Sequence, residues 1–259
     1  MAGGIQLKSS EEIEAMYRAN QVVAECLQRI GEAVKPGVTT ADLDVIGHEV
    51  LKKHGAKSAF LGYPNPSGGK AFPATVCTSV NDEIVHGIPS RATVLKDGDI
   101  VSCDFGVILD GWVGDSAVTF PVGEVSENAK RLLDVTRRSL AAAIEQVRVG
   151  NRLGDVSHAV QEVAEAEGFG VVTDFVGHGV GRKMHEPPQV PNVGRPGTGV
   201  RLQAGMVLAI EPMINEGTPD VRTLADGWTA VTFDHKLSAH FEHSVAVTSE
   251  GPRVLSAWS

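Results

Sequence analysis

Val34-Lys-Pro-Gly-Val-Thr-Thr-Ala-Asp-Leu43 is echoed 113 residues further on by Val147-Arg-Val-Gly-Asn-Arg-Leu-Gly-Asp-Val156. The helical stretches that follow end alike, in His54-Gly55 and Glu167-Gly168. A second echo links Leu95-Lys-Asp-Gly-Asp-Ile100 to Leu202-Gln-Ala-Gly-Met-Val207 at an offset of 107, and that offset sets Asp104 against Glu211. His86-Gly-Ile-Pro89 and His185-Glu-Pro-Pro188 form a looser pair at an offset of 99. Self-similarity of this kind describes two halves of helix, helix, loop and strand, packed as pseudo-symmetric partners. Acidic and imidazole groups recur at matching places, so one site shared between the halves is expected.

The local pattern agrees with an α+β architecture. Residues 9–33 open on Ser-Ser-Glu-Glu and carry Ile13, Met16, Val23, Leu27 and Ile30 at helical spacing, with an N-cap and acidic first turn. A second helix is expected over 40–54, with Thr39 or Thr40 as N-cap and Gly55 near its end. Two more are expected over 126–147 and 153–167. Strand-like segments are Ala74–Ser79, Ile100–Ile108, Val113–Phe120, Met206–Ile210 and Phe241–Val247.

Composition excludes several function classes. The chain has 259 residues with 23 Lys plus Arg against 32 Asp plus Glu, a formal charge of −9. Without a basic cluster, sequence-independent binding to DNA is not expected, because that binding runs on neutralising phosphates. No stretch reaches the roughly 18 apolar residues of a membrane span. The first sixteen residues are polar and acidic, so no secretory signal is expected. Cys26, Cys77 and Cys103 are odd in number and far apart, which suits neither a disulfide framework nor a CxxC zinc site and indicates a reducing cytoplasm.

Asp104 and Asp115 flank Asp110-Gly111, a two-residue hairpin signal. Side chains alternate along strands, so in such a hairpin both carboxylates share one face as diagonal neighbours. Two acids on an otherwise apolar face repel, and a cation between them relieves the repulsion. From this pair alone, two solvent-facing aspartates are an equal alternative. Glu211 ends the apolar run Met206-Val-Leu-Ala-Ile, and Pro212 after it denies the ladder one N–H. Glu242 again lies in β-rich sequence, and His178 sits in Val176-Gly-His-Gly-Val-Gly181, where glycines allow close approach of backbone and ligand. Asp, Asp, His, Glu and Glu form an oxygen-rich set with one imidazole. That set favours Mn, Co, Fe or Mg over structural zinc, and four carboxylates can bridge two ions roughly 3.5–4 Å apart. A phosphate-loop reading of the glycines fails, because no Lys-Ser/Thr follows them.

With these residues in this order, the chain resembles the type I (bacterial) methionine aminopeptidases of the pita-bread metallopeptidase family. The motifs are Asn81-Asp-Glu-Ile-Val-His-Gly-Ile-Pro89, Asp104 with Gly114-Asp-Ser116, Gly177-His-Gly-Val-Gly-Arg182, Met184-His-Glu186, Ile210-Glu-Pro-Met213, Asp226-Gly-Trp228 and Phe241-Glu-His243. They span essentially all of residues 10–256. The resemblance implies one catalytic domain over 1–259, with half-repeats near 10–123 and 124–255, two pseudo-symmetric αβ halves and a central antiparallel sheet. It implies a dinuclear-metal aminopeptidase that removes N-terminal methionine where the second residue is small, as in this chain's own Met1-Ala2-Gly3. Asp104 is then the chelating ligand of one metal, Asp115 and Glu242 bridge, and His178 and Glu211 hold the other. The ions are expected to be Mn, Co or Fe, with Zn or Ni as alternatives.

The same resemblance makes His86, His185 and Glu211 the catalytic residues. A metal-activated water attacks the first carbonyl, Glu211 accepts its proton, His185 steadies the oxyanion-like transition state and His86 touches the scissile amide. The methionine pocket is assigned to Tyr63, Cys77, Met184 and Trp228. Family members often carry an aromatic residue at Met184, cysteine at Phe60 and tyrosine at Phe72. With a long 64–71 loop as well, the registry of Phe60 and Phe72 stays open. The remaining histidines, His48, His54, His158, His235, His240 and His243, are read as surface residues or neighbours of the ligands, His243 foremost among the neighbours. Expected partners are N-terminal Met peptides and nascent polypeptides, with the ribosome as an optional contact, and neither DNA nor a membrane. The chain is expected to work as a cytoplasmic monomer. A proline-specific aminopeptidase or prolidase is the runner-up, although only 103 residues precede Asp104. A metal-free binding protein of the same fold is the third reading.

Overall fold

The computed structural model describes residues 4–257, so the Met1-Ala2-Gly3 stretch lies outside the described residues. Helix α1 (Ser10–Ala33) begins where Ser9 Oγ accepts from the Glu12 N–H while Glu12 accepts from the Ser9 N–H, a reciprocal capping box. Helix α2 (Thr40–His54) starts after Thr39 and stops at Gly55, whose φ of 62° is the left-handed conformation that ends helices. Helices α3 (Glu127–Glu145) and α4 (Leu153–Ala166) complete the set. Among the described residues no helix is long and apolar enough to cross a membrane.

The strands are all antiparallel. Ile100–Leu109 pairs with Trp112–Pro121 along one edge and with Lys57–Ser58 and Val76–Val80 along the other. A five-stranded sheet runs Gly251–Val254, His243–Thr248, Val207–Ile210, Gly177–Gly179, Glu186–Val190. Two smaller sheets hold Ser238–His240, Met213–Asn215, Gly170–Val171 and Val221–Thr223, Ala230–Thr232, Glu83–Val85. Two expected strand starts move for local reasons. Asp44 Oδ1 takes the N–H groups of Thr75 and Val76, so the ladder begins at Val76 rather than Ala74. The Glu242 N–H donates to the Ala117 carbonyl, so Phe241 and Glu242 leave the ladder that His243 enters.

Each helix pair covers its own sheet. Val23, Leu27, Leu43, Val50, Val101 and Phe105 are buried beneath α1 and α2. Leu132, Val135, Val156, Val160, Leu208 and Val245 are buried beneath α3 and α4. Burying one such side chain contributes about 1.5–3 kcal/mol.

The sequence echo has a hydrogen-bonding counterpart. The Gly37 N–H donates to Leu95 and the Leu95 N–H to Val38; likewise the Gly150 N–H donates to Leu202 and the Leu202 N–H to Asn151. Isolated bridges join Thr39 to Val94 and Arg152 to Arg201, matched positions of the two copies. Asp42 accepts from the Thr39 N–H at 2.9 Å and Asp155 from the Arg152 N–H at 2.7 Å, so the repeated Asp caps both helices. The halves meet where Trp112–Pro121 lies beside residues 241–244. There Ser116 Oγ donates to the Glu242 carbonyl and Ser244 Oγ to the Asp115 carbonyl.

Candidate metal centre

The hairpin that carries the first two acids closes at Asp110-Gly111, with φ of 51° and 76°. Both being positive, this is the tight turn whose twist matches paired strands. Asp104 stands opposite Ala117 and Asp115 opposite Gly106, so the two carboxylates are diagonal neighbours on one face, as alternation requires. Gly114 lets α1 press onto the hairpin, since a Cβ there would strike the backbone of Ala19 and Asn20. Asn20 Oδ1 then accepts the Asp115 N–H at 3.2 Å.

The other three residues come from the second half. His178 lies in Gly177–Gly179, where a Cβ on either glycine would collide with a neighbouring carbonyl oxygen. Its Nδ1 is 3.0 Å from the Gly179 carbonyl, which can only accept, so Nδ1 carries the proton and Nε2 keeps its lone pair. That Nε2 faces Asp115 Oδ2 at 3.6 Å and Glu211 Oε1 at 3.5 Å. Asp115, His178 and Glu242 each offer a donor atom, all within 4.8 Å of one another. Glu211 immediately follows the strand Val207–Ile210.

These groups are out of water and short of partners. Asp115 is 1% exposed and Glu242 2%. Asp104 Oδ1, Asp115 Oδ1 and Glu242 Oε1 are buried without a hydrogen bond. Burial pushes the Asp104 carboxyl up to about 7. Burial raises Asp115, Glu211 and Glu242 well above the ordinary range, and the neighbouring carboxylates raise them further. His178 is held neutral, its pKa lowered to about 3 by burial and then by His185. A lone pair and several orphaned carboxylate oxygens converging on one point fit a divalent cation; without one, each buried charge would cost several kcal/mol.

Beside this cluster opens a cavity of about 250 Å³, lined by all five acidic and imidazole candidates and by Phe60, Tyr63, Phe72, Cys77, Met184 and Trp228. Cys77 is directly opposite Asp104 in the ladder and so shares its face. Phe60 and Phe72 both line the cavity as well. Pro66 and Phe175 line it too, and neither is expected from the motifs. A wider groove of about 850 Å³ between Trp112–Pro121 and α3 is lined largely by apolar side chains such as Leu133, Leu140 and Phe241 and gathers no comparable donor set.

His86 and His185 complete the wall. His86 has a left-handed backbone, φ 60°, uncommon for a residue with a Cβ and held because the Thr78 N–H bonds the Gly87 carbonyl. Its ring meets Phe175 edge-on at 5.4 Å, and burial and then His185 lower its pKa to about 4. The His185 ring lies 4.3 Å from that of His178, and its pKa is lowered by burial. The expectation for the other histidines needs correction. His243 turns to Ser256 Oγ at 2.8 Å and does not line the cavity. His240 is the buried neighbour of Glu211, with 3.7 Å between Nε2 and Oε2. Sitting two residues before Glu242, it could have been found by strand alternation.

Comparison with known proteins agrees with this geometry. The model of metallopeptidase family M24 matches residues 14–249. A methionine aminopeptidase of Clostridium acetobutylicum is 51% identical over 252 residues, 97% of this chain and 98% of its own length. The crystal structure of a methionine aminopeptidase from Thermotoga maritima superposes with a TM-score of 0.94 at 47% identity, covering 98% of this chain and 100% of that one. An Xaa-Pro dipeptidase from Bacillus anthracis shares the fold alone, with a TM-score of 0.77 at 21% identity over 98% of this chain and 62% of its own.

Proposed function

The chain belongs to metallopeptidase family M24, and from that premise we propose that it removes N-terminal methionine from peptides and nascent proteins whose second residue is small. Its relatives over nearly full length are methionine aminopeptidases, metallo-exopeptidases of the pita-bread fold. The observation that carries the reading is the set of buried, unpartnered carboxylate oxygens beside a lone-pair imidazole and an apolar cavity. Asp104, Asp115, Glu211 and Glu242 would hold two divalent ions together with His178. Four carboxylates bring four negative charges, which two dications cancel. The oxygen-rich set supports Mn, Co or Fe, with Zn or Ni as alternatives. When bound, such ions polarise a carbonyl and make water acidic enough to supply hydroxide near neutral pH.

The chain's own residues supply the rest. The Glu211 carboxylate accepts a proton from the attacking water. His185, neutral at the cavity mouth, donates to the oxygen on which negative charge develops, and His86 contacts the scissile amide. Tyr63, Cys77, Met184 and Trp228, joined by Phe60, Phe72 and Phe175, form the methionine pocket. A single catalytic domain with half-repeats near 10–123 and 124–255 brings these groups together. The enzyme works as a cytoplasmic monomer, on chains leaving the ribosome; three free, buried cysteines support a reducing compartment.

The test is hydrolysis of Met-Ala-Ser set against Gly-Pro and Ala-Pro after stripping and reloading with Mn or Co. Cleavage of Met-Ala-Ser alone is expected. Cleavage of Ala-Pro alone would establish the proline-specific reading, and no cleavage with any ion would leave a binding protein.

A further inference from the structure

Glu211 stands between two imidazoles, and only His178 has a place in the centre described above. His178 Nε2 is 3.5 Å from Oε1, and His240 Nε2 is 3.7 Å from Oε2. His240 is 2% exposed, its Nε2 lacks a hydrogen-bond partner, and it does not line the cavity. Its reach to the centre therefore runs through Glu211.

The register explains why the two meet. The pairing Ile210↔His243 resumes unchanged at Met213↔His240, so Glu211 faces Glu242 and His240 is its diagonal neighbour on the same face. This is the relation of Asp115 to Asp104 in the first half, and Glu211 is the repeat mate of Asp104. His240 thus occupies, in the second half, the place that Asp115 holds in the first. Its backbone is fastened on both sides. The His240 N–H donates to Thr119 Oγ1 at 2.9 Å, and that hydroxyl donates back to the His240 carbonyl at 2.8 Å. Ser102 Oγ, 2.7 Å from Thr119 Oγ1, must then be the donor of that pair, since the threonine proton is spent.

We propose that His240 is a positioning residue of the metal centre: with an ion held by Glu211, its Nε2–H would close the 3.7 Å gap, donate to Glu211 Oε2 and so reserve Oε1, beside His178, for the ion. An anionic oxygen accepting an N–H is held in one orientation, and such partners of ligands govern metal affinity as well as geometry. The proposal rests on the reading of Glu211 as a ligand.

The experiment titrates metal-free protein with Mn(II) by calorimetry for wild type, His240→Leu, His240→Gln and Glu211→Gln. His240→Leu should weaken Mn(II) binding about 10–100-fold, and His240→Gln, which still offers an N–H, should recover most of it. Unweakened binding by His240→Leu alongside a weakened Glu211→Gln overturns the role of His240 and spares the centre. Unweakened binding by Glu211→Gln overturns the reading of the centre itself. Loss of one bound ion from both His240 variants would make His240 a ligand and overturn the positioning role. Nitrogen-15 spectra of the wild-type histidines test the same point without any substitution: a proton on Nε2 is expected, and one on Nδ1 alone overturns the proposal.

Discussion

The Tyr63 hydroxyl lies 2.7 Å from Nδ1 of His185. One residue of the apolar wall is thereby tied to the imidazole at the mouth of the site, across 122 positions of sequence. The bond fixes the ring while leaving Nε2 free to face substrate. In the proposed reaction, pocket filling and transition-state contact would therefore be linked through Tyr63.

Tyr63→Phe keeps the ring in the wall and removes that bond. One neutral hydrogen bond is worth about 0.5–1.5 kcal/mol, so kcat/KM for Met-Ala-Ser should fall roughly 2–10-fold. Metal content by atomic emission should stay at the wild-type level. A variant that hydrolyses as fast as wild type would remove Tyr63 from the positioning of His185.

His185→Ala should lower kcat far more, by about 10²–10³-fold, the usual cost of one transition-state donor. The ions should remain, because the buried cluster does not include His185. A variant that loses its metal would exchange the roles assigned to His178 and His185.

Chelation should abolish hydrolysis, and Mn, Co or Fe should restore it. Asp115→Asn and Glu242→Gln should each bind less metal, since a neutral amide is a weaker ligand for a divalent cation than a carboxylate. Full activity of rigorously stripped protein, or unchanged metal content in both variants, would refute the assignment.

The metal-free protein should show a characteristic pH profile of stability. Asp104 is raised to about 7 and Asp115, Glu211 and Glu242 are raised well above their usual range, so the folded state binds more protons than the unfolded one. Their contribution is whole below the unfolded carboxylate pKa of about 4 and is lost as pH rises through the folded values. His86, His178, His240 and His243, lowered to about 4, 3, 3 and 4, and His185, also lowered, act oppositely, an effect that fades about one pH unit above their unfolded value of 6.5. From about pH 7.5 the raised carboxylates dominate, so the melting temperature in chelator should fall from about pH 7.5 to 8.5, at about 1.4 kcal/mol per pH unit for each excess proton. Saturating Mn should flatten the slope. A rising melting temperature in chelator would contradict the burial of these carboxylates.

Lys8 Nζ and Glu186 Oε2 form a 2.8 Å ion pair whose side chains are 5% and 9% exposed. The other Glu186 oxygen accepts the N–H groups of Arg182 and Lys183, so the pair anchors the loop before His185. Lys8→Met leaves a buried carboxylate without its cation and should cost about 3 kcal/mol of stability. Urea unfolding of the metal-loaded protein measures it, and a change below the spread of surface substitutions, about 0.5 kcal/mol, would contradict it.

Much was legible in the chain because it is local. Helix caps at Ser9 and Thr39, the Asp110-Gly111 turn and the shared face of Asp104 and Asp115 follow from dihedral preference and alternation between residues close in sequence. The repeat was also legible, because both copies of the turn make the same hydrogen bonds and so constrain the same residues. Which acids lie buried, which histidine stands behind Glu211 and how large the cavity is were decided only by the tertiary structure. Alternation sets His240 on the face of Glu242 and His243 on the other, but that the first meets Glu211 and the second Ser256 is decided only when strands from both halves close on them. Desolvation and charge–charge interactions act through space over a few ångströms, so a carboxylate's need for a cation is set by neighbours from distant parts of the chain.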